Sequence, residues 1–169
     1  NTTKVLSILK PYLEDKSIKK IGQNIKFDYI VFSQRGIKIS SIEDTMLMSY
    51  VLDAGRNRHN LDTLAELHFK HKNISFKDIV GTGKKQLNFS EVEILTAKDY
   101  AAEDTDITLR LYKLFLENLR SEKLLQIYEN FEKPMVEILA QMEIYGVKID
   151  DKFLAKLSTN LTYSEHSGN

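Results

Sequence analysis

The sequence lacks cysteine altogether, and no apolar run in it approaches the length of a membrane span. Without cysteine the chain can form neither disulfides nor thiolate metal sites, which fits a reducing compartment. A transmembrane helix needs roughly 18 or more successive apolar residues, which this sequence does not offer. We therefore expect a cytoplasmic location and no membrane partner.

An excess of charge of either sign is missing as well. The 169 residues include 24 basic and 24 acidic side chains, so the formal net charge is zero. Proteins that coat duplex DNA are usually basic, which argues against broad electrostatic binding but leaves room for contacts with a few phosphates. Five lysines do lie close together, and a solvated surface is the simpler interpretation of Lys70, Lys72, Lys77, Lys84 and Lys85.

Helical patterns dominate the chain, whereas strand patterns are short and few. The length allows one sizeable core, with room for the start of a second domain. Two short strands, at 19–22 and 37–39, cannot form a stable sheet for so many helices to cover. The sequence therefore predicts an α/β domain with part of its sheet missing. The predicted helices cover about residues 5–13, 24–32, 45–51, 61–67, a stretch through 100 to about 119, 124–144, and a final piece from 151.

Polar residues indicate where several of these helices begin. Asn24 follows a glycine turn and is a suitable N-cap, and Asp44 or Thr45 can cap the next helix. The longest helix has two starts that resemble a capping box, one at Ser90 and one at Thr96. The pattern leaves open which of the two is used.

Tyr100 and Asp104 are the first candidate site residues. They lie four positions apart in a helical run, a spacing that stacks both side chains on one helix face. A carboxylate can hold a divalent metal, and a neighbouring phenol can hydrogen-bond a water molecule. Because one carboxylate does not fix a Mg²⁺ ion, this pair is only half of a hydrolytic site.

Asp28 is the candidate for the other half. A short strand, a turn at Gly22 and a capped helix place Asp28 near the strand's C-terminal end, where ligands gather in open α/β sheets. Carboxylates on two different helices, Asp28 and Asp104, could hold hard divalent cations through oxygen. Taken alone, Asp28 reads more simply as a solvated residue at a helix start.

Two ordered motifs extend this hypothesis to a family. Gly22-Gln-Asn-x-Lys-Phe-Asp28 and Tyr100-Ala-Ala-Glu-Asp104-x-Asp106 resemble the second and third motifs of the 3′–5′ exonuclease domain of bacterial DNA polymerase I. That domain belongs to the tyrosine-containing branch of the DEDD superfamily. The segments between the motifs are similar in order and spacing. Glu132-Lys-Pro134 to Gly146-Val-Lys-Ile-Asp150 is similar to the entry into the polymerase domain.

The resemblance implies a fold, an activity and cofactors. It implies a ribonuclease H-like α/β fold that hydrolyses the 3′-terminal phosphodiester of DNA in proofreading, with two divalent cations (Mg²⁺ or Mn²⁺) in the intact domain. Asp104 resembles the ligand of the metal that activates water, Asp28 the ligand of the leaving-group metal, and Tyr100 the residue that orients the water. Residues 1–128 would be a partial exonuclease domain, and 129–169 a connecting helix and the start of the polymerase domain.

The resemblance also implies contacts with a single-stranded or frayed 3′ end of DNA. Asn24 and Phe27 match positions that contact the DNA end, Arg58 matches an arginine that could meet a phosphate, and Phe76 matches an aromatic position that stacks a frayed base. The alternatives left open are a surface role for Arg58 and a core role for Phe76. The other implied partner is a polymerase domain in the same chain.

One family motif has no counterpart. The first motif, Asp-x-Glu on a central strand, should precede Asp28, yet none of the aspartates has a glutamate two positions on. We therefore expect a piece of a larger enzyme that binds Mg²⁺ or Mn²⁺ weakly and has negligible nuclease activity alone. A non-catalytic scaffold with the exonuclease fold, and an RNA-trimming exonuclease of the same superfamily, are the alternative functions.

Several neighbouring residues have simpler interpretations. Glu103 and Asp106 flank Asp104 but should point about 100° and 200° away from it around the helix. The four histidines, among them His71, show no zinc-ligand spacing and are expected to be structural or exposed. The sequence therefore assigns none of these residues to the site.

Overall fold

The computed structural model describes residues 2–83 and 86–166, with side chains described as far as residue 159. Within these residues helices are connected by short loops, and two strands form the sheet. The strands are β1 (Lys20–Gly22) and β2 (Ile42–Asp44). The helices are α1 (Thr2–Glu14), α2 (Ile25–Ser33), α3 (Thr45–Asp53), α4 (Leu61–Phe69), α5 (Phe76–Val80), α6 (Ile94–Ser121), α7 (Leu125–Ile127), α8 (Lys133–Tyr145) and α9 (Asp151–His166).

The two strands pair in parallel, with Lys20 opposite Ile42 and Gly22 opposite Asp44. A parallel pair needs a crossover connection, and α2 provides it. Since both strands end at the same edge, Gly22 and Asp44 bring the starts of α2 and α3 together there. This edge organises the candidate site.

The second strand is not where the sequence predicted it. The expected strand at 37–39 is wrong, because the paired residues are Ile42–Asp44. Ile37 and Ile39 are nevertheless buried, with 3% and 4% of their surface exposed. Ile39 packs with Tyr29 and Ala140 in an apolar cluster between α2 and α8. The alternation of apolar residues at Ile37 and Ile39 therefore predicted correctly which side chains are buried. It did not predict which backbone segment pairs with β1.

Helix α6 carries a long buried apolar face. Its residues Ile107, Leu111, Phe115 and Leu119 recur every fourth position and are almost fully buried. They pack against α3 and α4 in a cluster that includes Met48 of α3. This packing fixes the rotation of α6, and the opposite side of the helix stays available for polar residues.

The start of α6 differs from both predicted starts. The helix begins after Glu93, whose carboxylate accepts hydrogen bonds from the Thr96 amide at 3.3 Å and the Thr96 hydroxyl at 2.9 Å. The capping box lies earlier, where Asn88 and Glu91 close a 3₁₀ turn over Phe89–Glu91. Ser90 and Thr96 were therefore the wrong caps: Glu93, three positions from each, caps the helix, and Thr96 donates to it.

The helix predicted for 124–144 is interrupted. It consists of α7, a π-helical turn over Tyr128–Glu132, and α8. At the π turn Tyr128 is fully buried; its hydroxyl donates to Glu43 Oε2 at 2.9 Å and accepts from the Asp44 amide at 3.0 Å. Lys133 donates to Glu43 Oε1 at 3.0 Å. This buried polar network ties β2 to the start of α8.

The described residues thus form a helix-rich structure with a small two-stranded parallel sheet. At that level the expected helix-rich α/β character is confirmed. In the part of the chain that the structure describes, none of the helices combines the length and the apolar character that crossing a membrane requires.

Candidate active site

The start of α2 has an unusual backbone. Asn24 occupies the N-cap position, as predicted, but its backbone is left-handed with φ 58° and ψ 48°, and its side chain makes no capping hydrogen bond. Asparagine is one of the few residues that adopt this conformation readily. The predicted position is therefore right, and the predicted mechanism of capping by the Asn24 side chain is wrong.

Asp44 supplies the missing cap. Its carboxylate accepts from the Asn24 amide at 3.0 Å and from the Ile25 amide at 2.9 Å. The same carboxylate also caps α3 as predicted, by accepting from the amides of Met46 and Leu47. Burial raises the pKa of Asp44, while these four amide hydrogen bonds oppose the rise. One buried carboxylate thus fixes the starts of two helices.

Gly22 permits the close approach of β1 and α2. A Cβ atom at this position would lie 3.0 Å from Ile25 Cγ1, closer than nine in ten real Cβ contacts, so Ile25 would have to shift by a few tenths of an ångström. Ile25 is buried and cannot move aside easily. The glycine in the first ordered motif is therefore needed for space, since it lets α2 begin directly beside the strand.

Asp28 and Asp104 face one open cleft. The cleft has a volume of about 640 Å³ and is bounded by the end of β1, the first turn of α2 and the middle of α6. Gln23 and Thr105 also line it. The structure therefore brings together the two carboxylates that the sequence proposed as partners, although they lie on different helices.

The surroundings of the cleft raise the pKa of both Asp28 and Asp104, which disfavours their ionised forms. Partial burial raises the pKa of Asp104, and the charges of Asp62 and Glu103 raise it further, while the Tyr100 hydroxyl lowers it. Asp28 lies at the surface of α2, but the cleft wall desolvates its carboxylate enough to raise its pKa. Lys19 also lines the cleft, yet its ammonium donates to the Tyr112 hydroxyl at 2.7 Å.

Tyr100 adjoins Asp104 and stays protonated. Burial, followed by the negative charge of Asp104, raises the pKa of Tyr100 to about 12. At neutral pH the phenol is therefore a hydrogen-bond donor and not a base. Its ring lies 6.2 Å from the ring of Phe76 and 6.2 Å from that of Phe89, measured between centroids.

The other predicted DNA contacts lie at different places around this centre. Asn24 and Phe27 are at the start of α2 beside Asp28, and the Phe27 ring is 66% exposed. Phe76 is 44% exposed, which disfavours a purely core role. Arg58 is an exposed residue in the loop between α3 and α4. The structure therefore places Phe76 in contact with Tyr100, whereas Arg58 is not among the residues that line the cleft.

Two acidic residues that the sequence did not assign to the site have structural roles beside it. Glu103 accepts from His71 Nε2 at 2.8 Å and from the Ile74 amide at 2.6 Å, so it binds a loop segment to α6. Asp62 accepts from the Asn73 amide group at 3.3 Å, and its charge raises the pKa of Asp104. No sequence pattern predicts either role, because each depends on a contact between the loop after α4 and a helix, which forms only in the folded chain.

Asp106 makes an exposed pair with Arg110 at 3.5 Å, in keeping with its exclusion from the site. In the lysine-rich surface stretch, Lys70, Lys72 and Lys77 are exposed, which favours the interpretation as a solvated surface. Lys84 and Lys85 lie outside the described residues. Lys70, Lys72 and Lys77 are not among the residues that line the cleft.

The cleft offers the kind of ligand that a divalent cation needs, but too few of them. Asp28 and Asp104 offer carboxylate oxygens, the ligands that Mg²⁺ takes in proteins. Among the described residues, no group of three or more histidine, aspartate or glutamate side chains is arranged to hold a metal. Two carboxylates do not complete a coordination shell, so other oxygen donors are required.

Comparison with known proteins assigns the class. The sequence model of the 3′-5′ exonuclease family matches residues 1–120, and the chain belongs to this family. Curated relatives name the enzyme in which this domain occurs. The chain is 44% identical over 153 residues to DNA polymerase I of Rhizobium leguminosarum, an alignment that covers 90% of the chain and 15% of that protein.

Other relatives give the same result. DNA polymerase I of Pseudomonas aeruginosa is 40% identical over 161 residues, which cover 93% of this chain and 18% of the relative. DNA polymerase I A, chloroplastic/mitochondrial, of Arabidopsis thaliana is 30% identical over 200 residues, covering 93% and 19%. The resemblance seen in the motifs is therefore confirmed. The chain spans less than a fifth of the length of these relatives.

Proposed function

We propose that this chain contributes part of the 3′–5′ exonuclease site of a DNA polymerase I, which removes nucleotides from a DNA 3′ end in proofreading. The observation that carries this proposal is the shared cleft of Asp28 and Asp104, with the protonated Tyr100 beside Asp104. The family assignment gives the reaction class, phosphodiester hydrolysis.

The three residues have complementary roles in this proposal. The Tyr100 hydroxyl donates a hydrogen bond to Asp104, and its oxygen would accept one from the attacking water and so orient it. Asp104 would lie on the side of the attacking water, and Asp28 on the side of the leaving group. Asp28 and Asp104 would hold Mg²⁺ or Mn²⁺, and the cations, when bound, stabilise the charge that develops on the phosphodiester oxygens. Burial raises the pKa of both carboxylates, and the charges of Asp62 and Glu103 raise that of Asp104 further; a nearby cation would favour the ionised forms.

The substrate we propose is a single-stranded or frayed DNA 3′ end. The exposed rings of Phe27 and Phe76 support it, because an exposed aromatic ring can stack a base regardless of its sequence. Asn24 lies beside Phe27 at the start of α2 and would contact the same end. Arg58 would meet a phosphate at the periphery. The net charge of zero agrees with a few local phosphate contacts.

We further propose a ribonuclease H-like fold with additional strands beside β1 and β2, since a two-stranded sheet is small for the helices that pack on it. The exonuclease part would comprise residues 1–128. Residues 129–169 would be the connecting helix and the start of the polymerase domain, the partner in the same chain. The family match, which ends at residue 120 near the end of α6, supports this boundary.

A non-catalytic scaffold is the weaker alternative. Carboxylates kept only for folding are normally paired with cations or amides, as Asp44 is. Asp28 and Asp104 instead line an open cleft. The identity to DNA polymerases also favours a DNA substrate over an RNA-trimming role.

The test uses the whole polymerase that contains this chain, with Asp28→Asn and Asp104→Asn as separate variants. We expect each to slow digestion of 3′-labelled single-stranded DNA by about 100-fold or more, because metal-assisted charge stabilisation is worth several kcal/mol. Asp106→Asn is the matched control, and polymerase activity reports folding. Unchanged digestion by either cleft variant would contradict the proposal.

A second measurement tests the chain by itself. We propose that the 169-residue chain binds Mn²⁺ weakly and has negligible nuclease activity, because two carboxylates leave the cation short of ligands. The measurement is digestion of the same labelled strand by purified chain, with Mg²⁺ or Mn²⁺ added. Digestion at the rate of the whole polymerase would show that the cleft is sufficient.

A further inference from the structure

Glu103 connects two parts of the structure that meet beside Tyr100. Its carboxylate is used on both oxygens: Oε1 contacts His71 Nε2 at 2.8 Å, and Oε2 accepts from the Ile74 amide at 2.6 Å. The Glu103 side chain is only 18% exposed. A hydrogen bond from a backbone amide to a charged carboxylate is stronger than one between neutral groups.

The segment that Glu103 holds leads directly to Phe76. Asn73 lies in the middle of it and is anchored from α4 through its 3.3 Å hydrogen bond to Asp62. Ser75 follows as the N-cap of α5, with its hydroxyl accepting from the Lys77 amide. The position of α5, and of Phe76 as its first residue, is therefore set by this segment.

A backbone hydrogen bond connects α5, which begins at Phe76, to the residues that precede Phe89. The Leu87 amide donates to the Val80 carbonyl at 2.8 Å, which ties the end of α5 to the residues before Phe89. The two phenylalanine rings stack at 5.9 Å, and each lies 6.2 Å from the Tyr100 ring. Aromatic contacts of this kind restrict the ring on which they pack.

We infer that Glu103 is a positioning residue: by holding His71 and Ile74 on α6, it keeps Phe76 and Phe89 against the ring of Tyr100. Glu103 follows Tyr100 by three positions, so both lie on neighbouring parts of the same helix surface. The loop is thus fastened within one turn of the residue that it supports. This inference rests on the proposed function, because only in a nuclease site does the orientation of the Tyr100 hydroxyl affect a reaction.

The experiment compares Glu103→Ala and Glu103→Gln with Glu117→Ala, an exposed glutamate on the same helix. In the 169-residue chain, the readouts are amide hydrogen exchange at Ile74 and NMR contacts between the Tyr100 ring and the Phe76 and Phe89 rings. We expect Glu103→Ala to speed exchange at Ile74 by at least about tenfold and to weaken the ring contacts, because a hydrogen bond to a charged acceptor is lost. Glu103→Gln keeps a carbonyl acceptor and should restore most of both signals.

The activity readout is made in the whole polymerase on single-stranded DNA. We expect Glu103→Ala to lower kcat for digestion and to raise KM, while Glu103→Gln recovers both in part and Glu117→Ala changes neither. Retention of the ring contacts and of Ile74 protection in Glu103→Ala would overturn the inference. If those signals change as expected but digestion by the Tyr100→Phe, Asp28→Asn and Asp104→Asn variants is normal, the positioning of the rings stands and the proposed function fails.

Discussion

The carboxylate of Asp44 holds the left-handed backbone of Asn24, through a hydrogen bond of 3.0 Å from the Asn24 amide to Asp44 Oδ1. Asp44 is 2% exposed and serves α3 in the same way. The strand that ends at Asp44 therefore determines where α2 starts, and with it where Asp28 enters the cleft.

Replacing Asp44 should destabilise the chain. We expect Asp44→Asn to lower the free energy of unfolding by about 1–3 kcal/mol, because buried amides lose a charged acceptor, and Asp44→Ala to cost more. Urea unfolding of the 169-residue chain is the measurement. Asp106→Asn is the control, since it removes only an exposed ion pair. Equal stability of Asp44→Asn and the control would contradict the double cap.

Tyr128→Phe tests the buried network at the π-helical turn. The substitution keeps the ring but leaves the Asp44 amide and one Glu43 oxygen without the hydroxyl partner. We expect a loss of about 1–3 kcal/mol in the free energy of unfolding, the usual cost of an unsatisfied buried polar group. Tyr145→Phe, at a ring that is 86% exposed, should have no measurable effect. The network would be dispensable if both variants unfolded at the same urea concentration.

Glu137 on α8 should give a pH-dependent contribution to stability. The Lys38 ammonium, 2.8 Å away, and the Tyr29 hydroxyl lower the pKa of Glu137 below its ordinary value. The ionised form is therefore favoured in the folded chain, so its contribution is complete above the unfolded pKa of about 4.3 and is lost as pH falls through the lower folded pKa.

The variant for this test is Glu137→Gln. Because the pair is half-exposed, we expect a loss below about 1 kcal/mol at pH 7 that disappears in acid. Thermal unfolding of both proteins between pH 7 and pH 3 is the measurement, with Glu117→Gln as the control. A difference that grew on acidification would show that the sign is wrong.

Tyr100→Phe separates the phenol hydroxyl from the aromatic packing. The ring contacts with Phe76 and Phe89 should persist, whereas the hydroxyl that hydrogen-bonds the Asp104 carboxylate and orients the water is removed. We expect digestion of single-stranded DNA by the whole polymerase to fall about 10- to 100-fold, the equivalent of one hydrogen bond to a charged partner. Tyr12→Phe, on the exposed face of α1, is the matched control. Wild-type digestion by Tyr100→Phe would exclude a role for the hydroxyl.

Phe76→Ala addresses base stacking. Loss of one stacking platform should weaken binding of a single-stranded oligonucleotide by the whole polymerase's exonuclease site by about 1–3 kcal/mol. Phe131→Ala, at a ring that is 67% exposed in the π-helical turn, controls for loss of an exposed aromatic. Fluorescence titration with a 2-aminopurine at the 3′ end measures both. Equal affinity of the two variants would remove Phe76 from the substrate site.

The features that the sequence alone predicted correctly come from local patterns of residues. Four-residue spacing placed Tyr100 and Asp104 on one face of α6, and the order of the two motifs identified the family. The cap at Asp44 and the interiors of the predicted helices, apart from the interrupted 124–144, also followed from sequence. These features depend on residues that are neighbours along the chain, so short-range geometry is sufficient.

Tertiary structure decided the rest, because it depends on segments that meet only after folding. The pairing of β2 with β1 at Ile42–Asp44, and not at 37–39, depends on register between strands. The cap of α2 comes from Asp44 and not from Asn24, and Glu103 binds a loop that the sequence left unstructured. The sequence by itself placed Tyr100 beside Asp104; only the packing of α6 against the β1 edge brought Asp28 to the same cleft.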